Sequence, residues 1–375
     1  MNSKKTVVVA MSGGVDSSVA AALLKDQGYN CIGITMKLWD YEIVGGNINH
    51  ESGCCSLDSI NDARMVCAKL DIPHYVLNFS RDFHEGVVDD FIDEYLAGRT
   101  PNPCVQCNIK IKWSSLHKKA RELGADYIAT GHYARVKFND QSGRYELYKG
   151  LDDNKDQSYV LWGTKQENLA TTLYPVGSYS KPQIREFARN LQMRTAEKKE
   201  SQEICFVPDK NYGRLLKQVV PGLEDKVSDG DLVNSTGEVI GKHKGYPFFT
   251  IGQRRGIGTA FGKPMYVIST DSKTNQVTIG EEKELYGSSF TATKLNLIKM
   301  ASLPHDGLQA MIKIRYNGPG YPGIVYPQPD NSVKVVFDEP QKSITPGQSS
   351  VFYDNNGCVI GGAIIESIKN TNGNN

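Results

Sequence analysis

Short apolar runs in the first third of the chain alternate with longer segments whose apolar residues recur at helical spacing. Four runs predict buried strands, at 7–9, 30–36, 74–79 and 126–131. The segments between them predict helices, at 16–24, 56–70, 82–96 and 108–123. Strands that alternate with helices form a parallel, doubly wound α/β sheet. With a hairpin at 133–150 and a helix at 181–191, this predicts an N-terminal α/β domain over 1–210.

The pattern changes from Asn211 onward, where short apolar runs are separated by glycine turns such as Ser235-Thr-Gly237. This composition is typical of β-rich domains. We predict a central β-rich domain over 211–285, a C-terminal β-barrel over 286–368 and a disordered tail over 369–375.

The most informative stretch is 7–18, VVVAMSGGVDSS. After the first strand, Gly13 and Gly14 permit backbone angles that other residues avoid. Asp16, Ser17 and Ser18 are typical of a helix start. A strand, a glycine turn and a helix N-terminus together predict a phosphate-binding loop, with Asp16 as a candidate Mg²⁺ ligand.

The loop lacks the lysine of a Walker motif and the glycine spacing of a dinucleotide site. It resembles the PP-loop of the ATP pyrophosphatase families, which split ATP between the α- and β-phosphates. The simpler alternative is a plain glycine turn. Met36 and the pair Gly131-His132 also follow predicted strands, and ligands bind at the carboxyl ends of strands in such sheets. We therefore expect these residues to share one pocket with the loop.

Composition narrows the class of protein. The net charge of the 375 residues is +1, so a nucleic-acid surface has to be a local patch. No apolar run approaches the roughly 20 residues that cross a bilayer. The N-terminus leads into the first strand without an export signal, and the eight cysteines are therefore expected to be reduced thiols of a cytoplasmic protein.

Cys104 and Cys107 form a C-x-x-C motif in a proline-rich loop. Half of a zinc site, a redox pair and a nucleophilic thiol with a neighbour are the three interpretations. The adjacent pair Cys54-Cys55 is poorly spaced for chelation, and we assign it no role. Cys107 precedes a helix predicted to begin near Asn108, whose dipole would favour the thiolate.

Cys205 lies in ESQEICF, after the charged segment 197–200. That context predicts an exposed, mobile loop. Alternatively, Cys205 is a buried cysteine that acts as a small apolar residue beside Ile204 and Phe206.

Six phrases occur in order along the chain: MSGGVDSSVAA, GRTPNPCVQCN, ATGHYAR, KDQSYVLW, ESQEICF and GQRRGIG. Together they resemble the tRNA-specific 2-thiouridylases of the MnmA/TrmU type over essentially the whole chain. The resemblance implies an enzyme that uses ATP and Mg²⁺ to adenylate the C2 oxygen of the wobble uridine in tRNAs for Lys, Glu and Gln. Sulfur then displaces AMP and leaves 2-thiouridine.

The resemblance also implies roles for two cysteines. Cys205 would carry sulfur as a persulfide, loaded by a sulfur-donor protein. Cys107 would attack that persulfide and leave a transient disulfide between Cys107 and Cys205. Cys104 stands where some relatives have an aspartate proposed as a general acid/base, and a thiol matches that role poorly at neutral pH.

By motif match, two groups of binding residues follow from the resemblance. The ATP-binding residues would be Ala10, Met11, Ser12, Gly13, Gly14, Val15, Asp16, Ser17, Ser18, Met36 and Gly131. The residues contacting tRNA or its target base would be Asn102, Pro103, Cys104, His132, Lys155, Asp156, Gln157, Arg315, Tyr316 and Gln348, with the C-terminal barrel as a tRNA-binding domain.

A basic segment at 242–263 carries five lysines and arginines, no acidic residue and several aromatic residues. It predicts either a phosphate-backbone surface or a solvated β-surface above core aromatics. Two other functions stay open from the residues alone: a PP-loop ligase that adenylates a small molecule, in the manner of argininosuccinate synthetases, and a non-catalytic tRNA-binding protein.

Overall fold

A computed structural model describes residues 4–39, 56–200, 204–258 and 262–370. Cys54 and Cys55 and the tail residues 371–375 lie outside the described residues. Within them, no helix combines the length and the apolar character that a bilayer span requires.

The N-terminal domain contains a parallel sheet and a separate hairpin. Its strands are β1 Thr6–Ala10, β2 Asn30–Lys37, β3 His74–Asn78, β4 Tyr127–Ala129, β5 Ala134–Asn139, β6 Arg144–Lys149 and β7 Thr172–Leu173. The parallel sheet has the order β3-β2-β1-β4-β7, and β5 pairs with β6 as the hairpin. The predicted α/β fold is confirmed.

Alternate residues of β1 show why this sheet is doubly wound. Val7 and Val9 belong to one apolar core, whereas Val8 belongs to another on the opposite face. All three valines are fully buried, as a strand covered by helices on both faces requires.

Helices cover both faces of the sheet, and several contain π-helical turns. Those of this domain are α1 Val15–Asp26, α2 Leu57–Lys69, α3 Ser80–Phe83, α4 Asp89–Leu96, α5 Pro103–Gln106, α6 His117–Glu122, α7 Gln166–Leu169 and α8 Lys181–Asn190. A π-helical segment, Cys107–Leu116, joins α5 to α6 without a break, and His84–Val88 joins α3 to α4 in the same way. Helical turns Ser158–Leu161 and Pro175–Ser178 are of the tighter 3₁₀ type.

The middle part of the chain begins with two helices, α9 Tyr212–Val219 and α10 Leu223–Val227, where the sequence predicted only β structure. Leu215 and Leu216 are buried in the apolar core that also holds Val8. The strands that follow are β8 Gly230–Val233, β9 Val239–His243, β10 Tyr266–Asp271 and β11 Gln276–Gly280, in the sheet order β10-β11-β8-β9.

The last part of the chain is a closed six-stranded barrel. Its strands are β12 Tyr286–Leu297, β13 Leu308–Lys313, β14 Tyr321–Gln328, β15 Ser332–Lys342, β16 Ser349–Tyr353 and β17 Val359–Asn370. They close in the order β12-β15-β14-β13-β16-β17 around an apolar core of their own. The predicted β-rich fold ending in a barrel is confirmed, although β17 extends two residues into the predicted tail.

Candidate active site

The phosphate loop joins β1 to α1, and its shape depends on Gly13. Gly13 has a φ of +70°, and a Cβ built there would lie 2.1 Å from the carbonyl oxygen of Ser59. The Ser18 hydroxyl donates to the carbonyl of Gly14 over 2.8 Å, and the Ser17 hydroxyl donates to the same carbonyl over 3.1 Å. The loop is therefore tightly closed against α2, and the N-terminus of α1 begins directly after it, at Val15.

Asp16, in the first turn of α1, is held by two residues that the sequence did not identify. The ammonium group of Lys181 lies 2.8 Å from both carboxylate oxygens of Asp16. The Tyr133 hydroxyl donates to Oδ1 of Asp16 over 2.7 Å. Lys181 is the first residue of α8, and only 9% of its side chain is exposed. A cation is thus built into the base of a loop that has no lysine of its own.

The charges continue from Lys181 to the segment that leads to Cys205. Lys181 also lies 2.8 Å from one carboxylate oxygen of Glu200, and Lys155 lies 2.8 Å from the other. Burial alone would raise the pKa of Glu200, but the hydrogen bonds from Lys155 and Lys181 outweigh it and lower the pKa to about 2. Asp16, Lys181, Glu200 and Lys155 form an alternating row of charges, which we call the charge row.

Residues 195–198 are attached to the same loop. The Lys198 ammonium donates to the carbonyl of Gly13 over 3.1 Å and lies 2.7 Å from Asp62 of α2. The Thr195 hydroxyl donates to the Ser18 hydroxyl over 3.1 Å. The segment before Cys205 is therefore fixed to the phosphate loop at several points.

Gly131, which follows β4, lies close to the phosphate loop, as the sequence predicted. A Cβ on Gly131 would lie 2.7 Å from the backbone nitrogen of Ser17, so β4 ends directly against the start of α1. Met11 accepts a hydrogen bond at its carbonyl from the hydroxyl of Thr35, one residue before Met36. Ala10 and Met11 are buried behind the loop, and the half-buried Met36 packs against the same core as Ala10.

The helix that carries Cys107 starts five residues earlier than the sequence predicted, at Pro103 instead of near Asn108. Asn102 is the N-cap, its side-chain oxygen accepts from the backbone nitrogen of Val105, and Pro103 is the first helical residue. Cys104 therefore lies in the first turn and is exposed, whereas Cys107 lies a turn further along and is partly buried. Because the helix dipole acts mainly within the first turn, the dipole argument made for Cys107 was wrong and applies to Cys104 instead.

Cys107 and Cys205 pack against one apolar core. Both are partly buried beside the cluster that contains Phe83, Phe91 and Phe206. The Phe206 ring lies 5.6 Å from that of Phe83 and 5.2 Å from that of Phe91, which anchors the residue next to Cys205. Cys205 itself is therefore partly buried rather than exposed, and the mobility predicted for its loop stays a prediction.

The barrel supports the loop before Cys104. The Gln348 side chain donates to the carbonyls of Thr100 and Pro101 over 2.8 and 3.1 Å. Tyr316, with 38% exposure, lies with its ring 6.0 Å from that of Tyr159. Burial first, and then the nearby Asp156, Cys104 and Glu200, raise the pKa of Tyr316 to about 12. Tyr316 therefore lies within electrostatic range of Cys104 and of Glu200 in the charge row.

Comparison with known proteins identifies the family. Three family models match successive parts of the chain: a tRNA methyl transferase HUP domain over 5–209, a tRNA methyl transferase PRC-barrel domain over 222–281 and an aminomethyltransferase beta-barrel domain over 288–365. The tRNA-specific 2-thiouridylase MnmA of Salinibacter ruber is 50% identical over 368 residues, covering 98% of this chain and 96% of the relative. That of Carboxydothermus hydrogenoformans is 49% identical over 363 residues, covering 96% of this chain and 98% of the relative. This chain belongs to the MnmA family of tRNA-specific 2-thiouridylases.

Three residues that the MnmA resemblance assigned to tRNA lie largely inside the protein. His132 is buried, accepts from Lys112 at Nε2 over 3.2 Å and lies 2.6 Å from the Thr130 hydroxyl at Nδ1. Burial, reinforced by Lys112, lowers its pKa well below the usual value, so the ring is neutral. Asp156 is buried and accepts from the Ser158 hydroxyl over 3.0 Å, and Gln157 accepts from the backbone of Tyr133 over 3.0 Å. In this conformation the three side chains bind other residues of the protein and thereby hold the surrounding backbone in place.

Arg315 is exposed, and its guanidinium donates to the carbonyl of Ser343 over 2.6 Å. Among the described residues, no carboxylate pairs with the Arg315 guanidinium. Arg315 directly precedes Tyr316 in the chain.

The basic segment 242–263 divides into core and surface. Its aromatic residues Tyr246 and Phe249 are buried in the core, as the simpler interpretation predicted. Lys242 and Lys263 are paired with Asp231 and Glu281 at 2.6 and 2.5 Å. The remaining exposed cations are Lys244, Arg254 and Arg255. The segment is therefore a much weaker cationic surface than its composition suggests.

Proposed function

We propose that this MnmA-family protein converts the wobble uridine of tRNAs for Lys, Glu and Gln to 2-thiouridine, using ATP and a sulfur atom carried by Cys205. The observation that carries the proposal is that a phosphate-binding loop and two cysteines suited to sulfur transfer belong to one connected part of the molecule. The phosphate loop, with the Lys181 ammonium group at its base, is tied through the segment 195–200 to the chain that leads to Cys205. Cys107 and Cys205 pack against the same apolar core. Reduced cysteines and a tRNA substrate favour a cytoplasmic location.

The phosphate loop fits ATP. Its closed turn and the N-terminus of α1 are suited to phosphate oxygens, and Lys181 and Lys198 supply the positive charge that a Walker loop takes from its own lysine. Mg²⁺ prefers oxygen ligands, and Asp16, with 30% of its side chain exposed, would hold the ion that accompanies ATP. The ion would neutralise charge on the phosphates.

In the first step the C2 oxygen of uridine attacks the α-phosphate, which forms the adenylated base and releases pyrophosphate. The attacking base has to leave the anticodon stack to reach this site. Tyr316 offers an aromatic surface, and the Pro103-Cys104 turn is held by Gln348 close to it.

In the second step Cys107 as thiolate attacks the inner sulfur of the Cys205 persulfide. A Cys107–Cys205 disulfide forms, and hydrosulfide leaves. Hydrosulfide adds at C2, and AMP departs with the former C2 oxygen, giving 2-thiouridine and a proton. An external dithiol returns the disulfide to two thiols, and a sulfur-donor protein reloads Cys205.

The test is nucleoside mass analysis of unmodified tRNA(Glu) incubated with protein, ATP, Mg²⁺ and a persulfide donor. We expect 2-thiouridine from the wild type and none from Cys107→Ser or Cys205→Ser, while both variants still form AMP. Cys358→Ala serves as the matched control, because Cys358 is a buried cysteine directly before β17 and has no part in the proposed sulfur pathway. Full thiolation by both serine variants would refute the sulfur pathway. AMP formation with small substrates but not with tRNA would favour a small-molecule ligase.

A further inference from the structure

Two lysines at the boundary between the hairpin and the barrel pair with no carboxylate in the described part of the chain. Lys149 ends β6, and Lys313 ends β13. Both are half-buried, and among the described residues neither forms an ion pair within 4.0 Å. Half-burying an ammonium group without a counter-ion is unfavourable, so the arrangement calls for an explanation.

Tyrosine rings and glycines position both ammonium groups. Lys149 Nζ lies 5.1 Å from the ring centre of Tyr353, and Lys313 Nζ lies 5.9 Å from that of Tyr159. Both rings are buried, and the Tyr159 hydroxyl is fixed by donation to the carbonyl of Ser349 over 2.8 Å. A Cβ on Gly357 would lie 3.5 Å from Cδ of Lys149, and one on Gly320 would lie 3.8 Å from Cγ of Lys313. Each lysine stem therefore runs past a residue with no side chain.

The two ammonium groups are close enough to repel each other. The pKa of Lys313 is lowered first by burial, and Lys149 lowers it further against the opposing effect of Asp156 and Asp153. The nearer carboxylate, Asp156, is largely committed elsewhere: it accepts from the backbone nitrogens of Gly150 and Ser158 over 3.2 and 3.0 Å and from the Ser158 hydroxyl. An anion from outside the protein would relieve both the repulsion and the lack of a counter-ion.

The position of the pair indicates which anion. Tyr159, beneath Lys313, lies with its ring 6.0 Å from that of Tyr316, the exposed aromatic residue that the proposed function places against the target base. We propose that Lys149 and Lys313 form a phosphate site that binds the RNA backbone next to the nucleotide being modified. This inference rests on the proposed function, since it takes the substrate to be tRNA. The pair anchors the strand while the base lies against Tyr316.

The experiment measures binding of an anticodon stem–loop RNA at several salt concentrations. We expect Lys149→Gln and Lys313→Gln each to raise Kd roughly five- to tenfold and to reduce the slope of log Kd against log salt by about one. Lys313→Arg retains the charge and should keep most of the slope. The matched control is Lys137→Gln on the same hairpin, an exposed lysine 5.7 Å from the ring of Tyr148, which should leave the slope unchanged.

A neutral methylphosphonate placed singly at each linkage around the wobble nucleotide then locates the contact. One linkage should weaken binding to the wild type and have no further effect on the double glutamine variant. If the double variant keeps the wild-type slope of log Kd against log salt, the inference is wrong. If its melting temperature is also lowered, the two lysines have a purely structural role. If the wild type forms no 2-thiouridine, the proposed function fails instead, which separates the two outcomes.

Discussion

At the scale of single residues, Glu200 has the most unusual environment in the site. Its carboxylate is shared by Lys155 and Lys181, and 26% of the side chain is exposed. Its depressed pKa means that the folded protein favours the ionised form more strongly than the unfolded chain does. Glu200 therefore contributes stability above its unfolded pKa of about 4.5, and this contribution is lost as the pH falls from there towards 2.

Replacing Glu200 by glutamine should lower the free energy of unfolding at pH 7 by about 2 kcal/mol, because it removes a partly buried partner of two lysines. The difference from the wild type should shrink steadily between pH 4.5 and pH 3. Urea unfolding at a series of pH values measures it. Glu197→Gln is the control, since Glu197 is 73% exposed in its pair with Arg189 and should matter by less than about 0.5 kcal/mol. An equal difference at pH 7 and pH 3 would contradict the assignment.

Sequence reasoning named the two ends of this charge row, Asp16 for ATP and Lys155 as a tRNA contact, but it did not predict Lys181, Glu200 or the pairing of Lys155 with Glu200. Asp16 lies within the recognisable loop, but Lys181 is 165 residues away in the chain and begins a helix whose local signals concern only helix capping. Pairings at this separation depend on how the elements pack, which periodicity does not specify. For Cys107 a local signal did exist: Asn102 followed by Pro103 is a typical N-cap and first helical residue, and it places the helix start correctly.

At the scale of elements, the phosphate loop depends on close approach as much as on backbone conformation. Gly13 and Gly28 flank α1, and both have positive φ, +70° and +88°. A Cβ at Gly13 would collide with the backbone of Ser59, whereas nothing lies within 4 Å of one at Gly28. An alanine at Gly28 would therefore suffer only the strain of a positive φ, whereas an alanine at Gly13 would suffer that strain and also a collision with Ser59.

We expect Gly28→Ala to cost about 1 kcal/mol of stability, the strain of a left-handed alanine, and to leave AMP formation intact. Gly13→Ala should abolish AMP formation, because the loop has to move away from α2 and its phosphate site is deformed. Thermal unfolding and AMP release from the two variants make the comparison. Comparable AMP formation by both would show that the contact with Ser59 is unimportant.

At the scale of the whole molecule, the barrel supports the turn that presents Cys104. Gln348 binds the carbonyls of Thr100 and Pro101, and the backbone nitrogen of Thr100 donates to the carbonyl of Pro346 over 2.9 Å. Arg99 bridges Glu94 of α4 and Glu366 of β17 at 2.7 and 2.6 Å. The turn that presents Cys104 is therefore held between the first and last parts of the chain.

Gln348→Ala should lower kcat/KM for tRNA by up to about thirtyfold, since it removes two hydrogen bonds worth about 1 kcal/mol each that position this turn. The melting temperature should change little. Steady-state thiolation at varied tRNA concentration measures the effect. Gln341→Ala is the control and should behave as the wild type, because Gln341 is a partly exposed barrel glutamine whose side chain donates to the nearby carbonyl of Glu339. Equal kinetics for both variants would remove Gln348 from the positioning of the turn.

The fold itself was largely predictable, because the valine runs of β1 and the helical periods around it are local patterns with one stable arrangement. The two helices at 212–227 were missed, since Pro221, Gly213 and Gly222 resemble turn signals while Leu215 and Leu216 supply a short buried face. The contacts between barrel and catalytic region were equally hidden, because they join residues some 250 positions apart.

That separation matters while the protein is being synthesised. Thr100 and Arg99 emerge from the ribosome long before Gln348 and Glu366, which follow 248 and 267 residues later. At bacterial-type elongation rates of about 5–20 residues per second, the phosphate loop is made well over ten seconds before the turn at Cys104 gains its supports. A nascent chain thus holds the phosphate loop before the turn at Cys104 is supported, and a ribosome stalled within the barrel would display the N-terminal α/β domain with that turn still unsupported.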